Sequence, residues 1–231
     1  MSSSQRSWTP LLAGMLLLGV VINQIGIWMS QGILSAVGQA GISLAALGLV
    51  LVTTQGHLRL WGGLGMLGCL AGDLAPKLAS SHPAQAMIVA FAIGQLLLVV
   101  AFWPHVEWGR SQTLGLGIAL VAYALVFLTW LSTRSTNGAE LFGPMVAYAV
   151  LLVLMGLTAA STRRGMLGGL LFVLSDSLLA ARLLGAISSN LLNASMVMLT
   201  YAAALLLLAL ALGKLARRPL AGSRGAALAE S

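Results

Sequence analysis

Charge is scarce in this sequence. Of its 231 residues, 7% are Asp, Glu, Lys or Arg and 59% are hydrophobic, and the mean hydropathy is +0.98. A soluble domain carries roughly 25% charged residues, so this chain cannot cover its surface with polar groups, and lipid must be its solvent. In lipid the backbone has to satisfy its own hydrogen bonds, which leaves helices or a closed barrel. Barrel strands alternate apolar and polar residues. The runs 11–22 and 205–212 do not alternate, so the barrel is excluded.

Cysteine is nearly absent too. Cys69 alone allows no intramolecular disulfide and no cysteine-based zinc site. The three histidines, His57, His82 and His105, lie in or near different expected loops without metal-ligand spacing, so neither a metal centre nor another cofactor is expected. The net charge of +7 forms no basic stripe with interleaved aromatics, which argues against nucleic acid as a partner. The segment Gly63-Leu64-Gly65-Met66-Leu67-Gly68 has the G-x-G-x-x-G form but no preceding strand, so it reads as helix packing and not as a dinucleotide site.

What remains are apolar segments, each near the ~20 residues that a bilayer core requires. They predict an all-α fold, a polytopic transmembrane bundle of about eight helices over 10–29, 33–54, 58–78, 84–103, 113–131, 141–160, 165–184 and 192–212. The bundle is expected to occupy 1–213, followed by a basic cytoplasmic tail, 214–231. Trp8, Trp28, Trp61, Trp103, Trp108 and Trp130 fall at the expected helix ends, where indole prefers the headgroup zone. Prolines 10, 83, 104, 144 and 219 fall at helix starts or in loops, and Pro76, inside the third helix, is expected to kink it or loosen its last turn. Nine Lys and Arg residues lie on the side of both termini and three (Lys77, Arg134, Arg182) on the other. That imbalance places the chain in a cell membrane with both termini cytoplasmic. The first helix carries no A-x-A cleavage site, so it reads as retained.

Of five acidic residues, only Asp73 and Asp176 fall inside apolar helices. An aspartate near the bilayer centre costs ~2.5–3.5 kcal/mol even on the lenient insertion scale, and such residues are functional by default. Their depths agree: 73 − 59 = 14 residues past Arg59, and 176 − 163 = 13 past Arg163. At ~1.5 Å per residue both stand about 20 Å from the same helix end. Each acid lies on the third helix of a set of four, a weak signature of a parallel four-plus-four repeat. Glycines 62, 63, 65, 68 and 72, with 165, 168 and 169, would let neighbouring helices approach closely. A structural alternative exists for Asp73, which stands i, i+4 to Lys77 and could form a local ion pair.

The segment Gly169-Leu170-Leu171-Phe172-Val173-Leu174-Ser175-Asp176-Ser177-Leu178-Leu179-Ala180 resembles the signature of the YhhN-like lysoplasmalogenase family. Gly72-Asp73 resembles that family's first G-D element, and Tyr148 and Met198-Leu199-Thr200-Tyr201 stand where its tyrosines are expected. Two departures stand out: Gln95 in Ile93-Gly94-Gln95-Leu96 replaces a histidine, and Gln39-Ala40 replaces a Lys-Pro element opening the second helix. The resemblance implies an eight-helix membrane enzyme acting on a lysophospholipid-like substrate among membrane lipids. It would cleave the vinyl ether to a fatty aldehyde and a glycerophospho-base.

That cleavage is acid chemistry. Asp73 and Asp176 are the implied catalytic pair, one protonated and donating, the other ionised and stabilising an oxocarbenium ion, with the assignment between them open. Gln95, Tyr148, Ser175 and Tyr201 are candidate substrate-binding groups, with Asn23 a further polar candidate. For such groups an interhelical hydrogen bond is the competing reading. Cys69, one turn before Asp73, reads as a small packing residue. On the residues alone, a proton- or ion-coupled transporter or a non-catalytic lipid-binding membrane protein remains an alternative, and the oligomeric state is undetermined.

Overall fold

The computed structural model describes residues 3–109, 111–136 and 139–217; Arg110, Arg218, Arg224, Pro219, Glu230 and most of the expected tail lie outside them. Among the described residues the chain is eight α-helices and one 3₁₀ turn, without strands. The helices are α1 Ser3–Trp28, α2 Gly32–Thr53, α3 Gly56–Leu78, α4 Pro83–Phe102, α5 Ser111–Arg134, α6 Ala139–Ala159, α7 Arg163–Leu183 and α8 Leu191–Leu215. The expected segments are recovered with end shifts of a few residues, the largest at the start of α1.

That shift alters the reading of two prolines. Pro10 and Pro144 lie inside α1 and α6 and not at their first residues. Each is close to its helix N-terminus, where the lost ladder bond falls in the opening turns. Pro76 does not end α3, which continues to Leu78.

Seven helices are long and apolar enough to cross a membrane; α3 is not among them. Its shortfall comes from six glycines and from Arg59, Asp73 and Lys77. Yet α3 lies along the whole height of its neighbours. A Cβ on Gly62 would meet Leu212 and Val50 near one end, while Asp73 meets Tyr201 and Ser43 near the other. A helix enclosed by other helices needs little apolar surface of its own.

The closest helix pairs are joined through glycine. A Cβ on Gly68 would stand 2.4 Å from Gly94 Cα, one on Gly38 2.3 Å from the Asn23 backbone N, and one on Gly169 2.9 Å from Gly156 Cα. Backbones at this separation gain van der Waals contact that larger side chains would prevent. The packing pairs α1–α2, α2–α3, α3–α4, α5–α6, α6–α7, α7–α8, α2–α8 and α4–α6 all occur. Shifting every number by four, with α8 followed by α1, maps this set onto itself, the neighbour pattern of a two-fold repeat.

Two pairs break the pattern: α3 touches α8 without an α7–α4 counterpart of like extent, and the larger departure is at α1 and α5. α1 packs on α8, but α5 makes no packing of comparable extent against α4. The α1–α2 seam is zipped by Gly19, Gly26 and Gly38, whereas a Cβ on Gly115 or Gly143 would meet nothing within 4 Å. α5 accordingly stands out from the bundle, with Ile118 and Val126 each 71% exposed. Large exposed apolar side chains of this kind suit a lipid-facing surface.

Candidate active site

The two intramembrane acids line one cavity. Its volume is about 300 Å³, and its wall includes Asp73, Asp176, Gln39, Lys77, Arg182 and Tyr201. Both carboxyls are buried. Sequence placed them at one depth; the packing of α3, α7 and α8 turns them towards a shared space.

Their surroundings differ. The Asp73 carboxylate accepts three hydrogen bonds: Gln39 Nε2 donates to Oδ1 at 2.8 Å, Ser43 Oγ donates to Oδ2, and Tyr201 Oη donates to the same oxygen at 3.0 Å. Gln39 and Ser43 stand four apart, on one face of the mainly apolar α2. Tyr201 is fixed by edge-on contacts with Phe91 and Phe172, whose ring centres lie 6.0 and 5.6 Å away. Among the described residues Asp176 has one donor, Tyr148 Oη of α6, bound to its Oδ2. An ionised carboxylate is acceptor-only and suits a full set of donors, whereas a protonated one needs an oxygen free to carry hydrogen.

Asp176 also borders a second space. A slot of about 60 Å³ lies between α4, α5, α6 and α7, lined mainly by apolar side chains such as Phe91, Phe127, Ala149 and Leu152, with Tyr148 and Asp176 among its few polar groups. Met87, Phe91, Leu179 and Asp176 belong to both walls. The slot exists because α5 stands away from α4.

Asp73 and Lys77 attract each other through space but form no direct ion pair among the described residues. Lys77 Nζ donates to the Asp73 main-chain oxygen at 2.8 Å and to Gln39 Oε1 at 3.1 Å, while the carboxylate is occupied by its three other donors. Asn23 takes the bland role, its Nδ2 donating across α1–α2 to the Ser35 main-chain oxygen at 2.8 Å. Ser175 is on the cavity wall, but its hydroxyl donates to the Val197 carbonyl at 3.0 Å, tying α7 to α8. Cys69 is fully buried in the apolar core.

Gln95 is on neither cavity wall. It is completely buried, with neither amide atom meeting hydrogen-bond geometry among the described residues, and its amide stands beside the Tyr148 hydroxyl. Its place is behind the tyrosine that holds Asp176, and not in direct reach of a cavity ligand.

Residues 34–212, from the start of α2 to the last turns of α8, match the YhhN family. The chain belongs to that family. No curated protein and no solved structure matches it. Within this YhhN-family chain the match covers both acids, both tyrosines and every wall of the cavity except Ile27 of α1. Among the described residues no three His, Cys, Asp or Glu side chains come together as metal ligands.

Sequence reasoning missed Ser43 and the part that Gln39 plays. A signal for both was present, since two polar residues at i, i+4 in an apolar helix mark one wet face. Arg182 entered that reasoning only as a topology marker and Lys77 also as a possible ion-pair partner of Asp73; both line the cavity.

Proposed function

We propose that this protein is an integral membrane hydrolase that cleaves the vinyl ether of a lysoplasmalogen-type lipid, giving a fatty aldehyde and a glycerophospho-base. The observation that carries the reading is the position of Asp176. One carboxyl borders both the polar cavity that contains Asp73 and a slot with mainly apolar walls, as an alkyl chain requires. An ether linking a chain to a glycerol headgroup has its reactive carbons at that junction.

The hydrogen bonding supports a division of labour. Asp176, with no donor to Oδ1 among the described residues, carries the proton; Asp73, with three donors, is the ionised partner. The proton passes from Asp176 to the β-carbon of the C=C–O unit, whose π pair forms the new C–H bond while an ether lone pair makes the oxocarbenium ion. Asp73 stabilises that cation and orients water. Water adds to the α-carbon and loses a proton to the carboxylates. The hemiacetal then breaks its C–O bond to glycerol, which leaves with a proton. One water is consumed and the carboxyl pair returns to its starting state. Tyr148 supports the Asp176 carboxylate formed in the first step.

In this reading all eight helices cross the bilayer and both termini face the cytoplasm, as the distribution of Lys and Arg suggests. The test is aldehyde release from a lysoplasmalogen by protein in detergent, with no gradient, beside Asp73→Asn and Asp176→Asn. General acid catalysis contributes ~10²–10⁴-fold, so each variant is expected to lose activity on that scale. A bell-shaped pH–rate profile is expected for the parent, since one carboxyl must be protonated and one ionised. Undiminished turnover in either variant would refute the two-carboxyl reading.

A further inference from the structure

Lys77 and Arg182 stand in the same cavity as the two acids, and among the described residues neither is in direct contact with a carboxylate, although Asp73 and Lys77 attract each other through space. Lys77 Nζ is held by two neutral oxygens, those of the Asp73 main chain and the Gln39 amide. Arg182 lines the cavity from α7, and its Nε is buried without a hydrogen-bond partner among the described residues. A buried guanidinium donor left unpaired in a native structure calls for a partner, and a cavity offers room for one. A lysine and an arginine facing one space without a direct carboxylate partner favour an anion beside them, and the planar donor fork of arginine suits phosphate oxygens in particular.

Position narrows the choice. Lys77 follows Asp73 by four residues and Arg182 follows Asp176 by six, so along their helices the cations lie roughly 6 and 9 Å beyond the acids. In a single-chain glycerophospholipid five bonds, about 6 Å when extended, separate the sn-1 ether oxygen from phosphorus. A chain in the apolar slot and an ether at Asp176 would therefore deliver the phosphate to the Lys77–Arg182 end of the cavity.

We infer that Lys77 and Arg182 form a phosphate subsite that makes the cavity selective for single-chain phospholipids over neutral single-chain ethers. The inference rests on the lipid reading above, but its test does not require turnover.

The test is equilibrium binding to the full chain in a maltoside detergent, which carries no competing phosphate. The probes are a saturated 1-O-alkyl lysophosphoethanolamine, the matching 1-O-alkylglycerol and chain-free glycerophosphoethanolamine. The parent should bind the phospholipid ~10-fold or more tightly than the alkylglycerol, the scale of a charge-assisted hydrogen bond. Lys77→Gln and Arg182→Gln should each abolish most of that preference while leaving alkylglycerol affinity unchanged, and Arg182→Lys should retain part of it. Unchanged alkylglycerol binding reports an intact fold in the same experiment.

A parent without preference, a preference surviving in both glutamine variants, or equal losses for both lipids would overturn the subsite. Cation-dependent binding of glycerophosphoethanolamine as tight as that of the lipid would overturn the lipid assignment in favour of a free phosphoester. A protein showing the cation-dependent preference but no aldehyde release would refute the hydrolase and leave the subsite standing.

Discussion

The asymmetry between the two carboxyls gives a prediction with a rank order. Tyr148→Phe removes the one donor to Asp176, while Tyr201→Phe removes one of three to Asp73. In both variants the ring remains, so the edge-on contacts of residue 201 with Phe91 and Phe172 are preserved. A hydrogen bond to a charged group is worth ~1.5–3 kcal/mol. When Asp176 gives up its proton, Tyr148 is the sole protein group supporting the new charge, so the full amount falls on the transition state. That corresponds to a kcat lower by about 10- to 100-fold. For Asp73, Gln39 and Ser43 remain, and the loss should be nearer the ~0.5–1.5 kcal/mol of an ordinary hydrogen bond, about 2- to 10-fold in rate. The assay is aldehyde release from a lysoplasmalogen in detergent, coupled to NADH oxidation, with saturating substrate to isolate kcat. A Tyr201→Phe variant as impaired as Tyr148→Phe, or more so, would refute Asp176 as the proton donor and the donor-counting logic behind it.

Three further outcomes follow from packing and topology. Gly68→Ala drives a methyl into the Gly94 backbone of α4, so detergent melting should show a loss of about 1–3 kcal/mol, the usual cost of overpacking, whereas Gly14→Ala, where a Cβ meets nothing within 4 Å, should not. Ala149→Phe fills the slot between α5 and α6 and should raise KM for long-chain substrates more than for short-chain ones; equal effects on both would place the chain elsewhere. Reporter fusions at the two ends should both read as cytoplasmic, and opposite readings would show an odd number of crossings, with α3 the first helix to doubt.

The sequence by itself determined the solvent, the secondary structure and the acids. Scarce charge forced a lipid environment, lipid forced closed hydrogen bonding, and the runs of ~20 apolar residues did the rest. Asp73 and Asp176 were legible because a charge in an apolar helix is costly and therefore conspicuous. Their common depth was legible as well, since helical rise converts residue count into distance.

Rotation about each helix axis was not legible, and the site depends on it. Only packing brought Gln39 and Ser43 onto Asp73 and gave Asp176 a single donor. Packing also turned Lys77 from an ion pair towards two neutral oxygens and set Gln95 behind Tyr148 and off the cavity wall. The slot was hidden for a related reason. It arises from contacts that α5 does not make, and the sequence of one helix records its own apolar faces but not which neighbour will cover them. Glycine decided that at the seams: where it let backbones meet, as at Gly38 and Gly68, the bundle closed, and where α5 found no such partner a space was left beside Asp176.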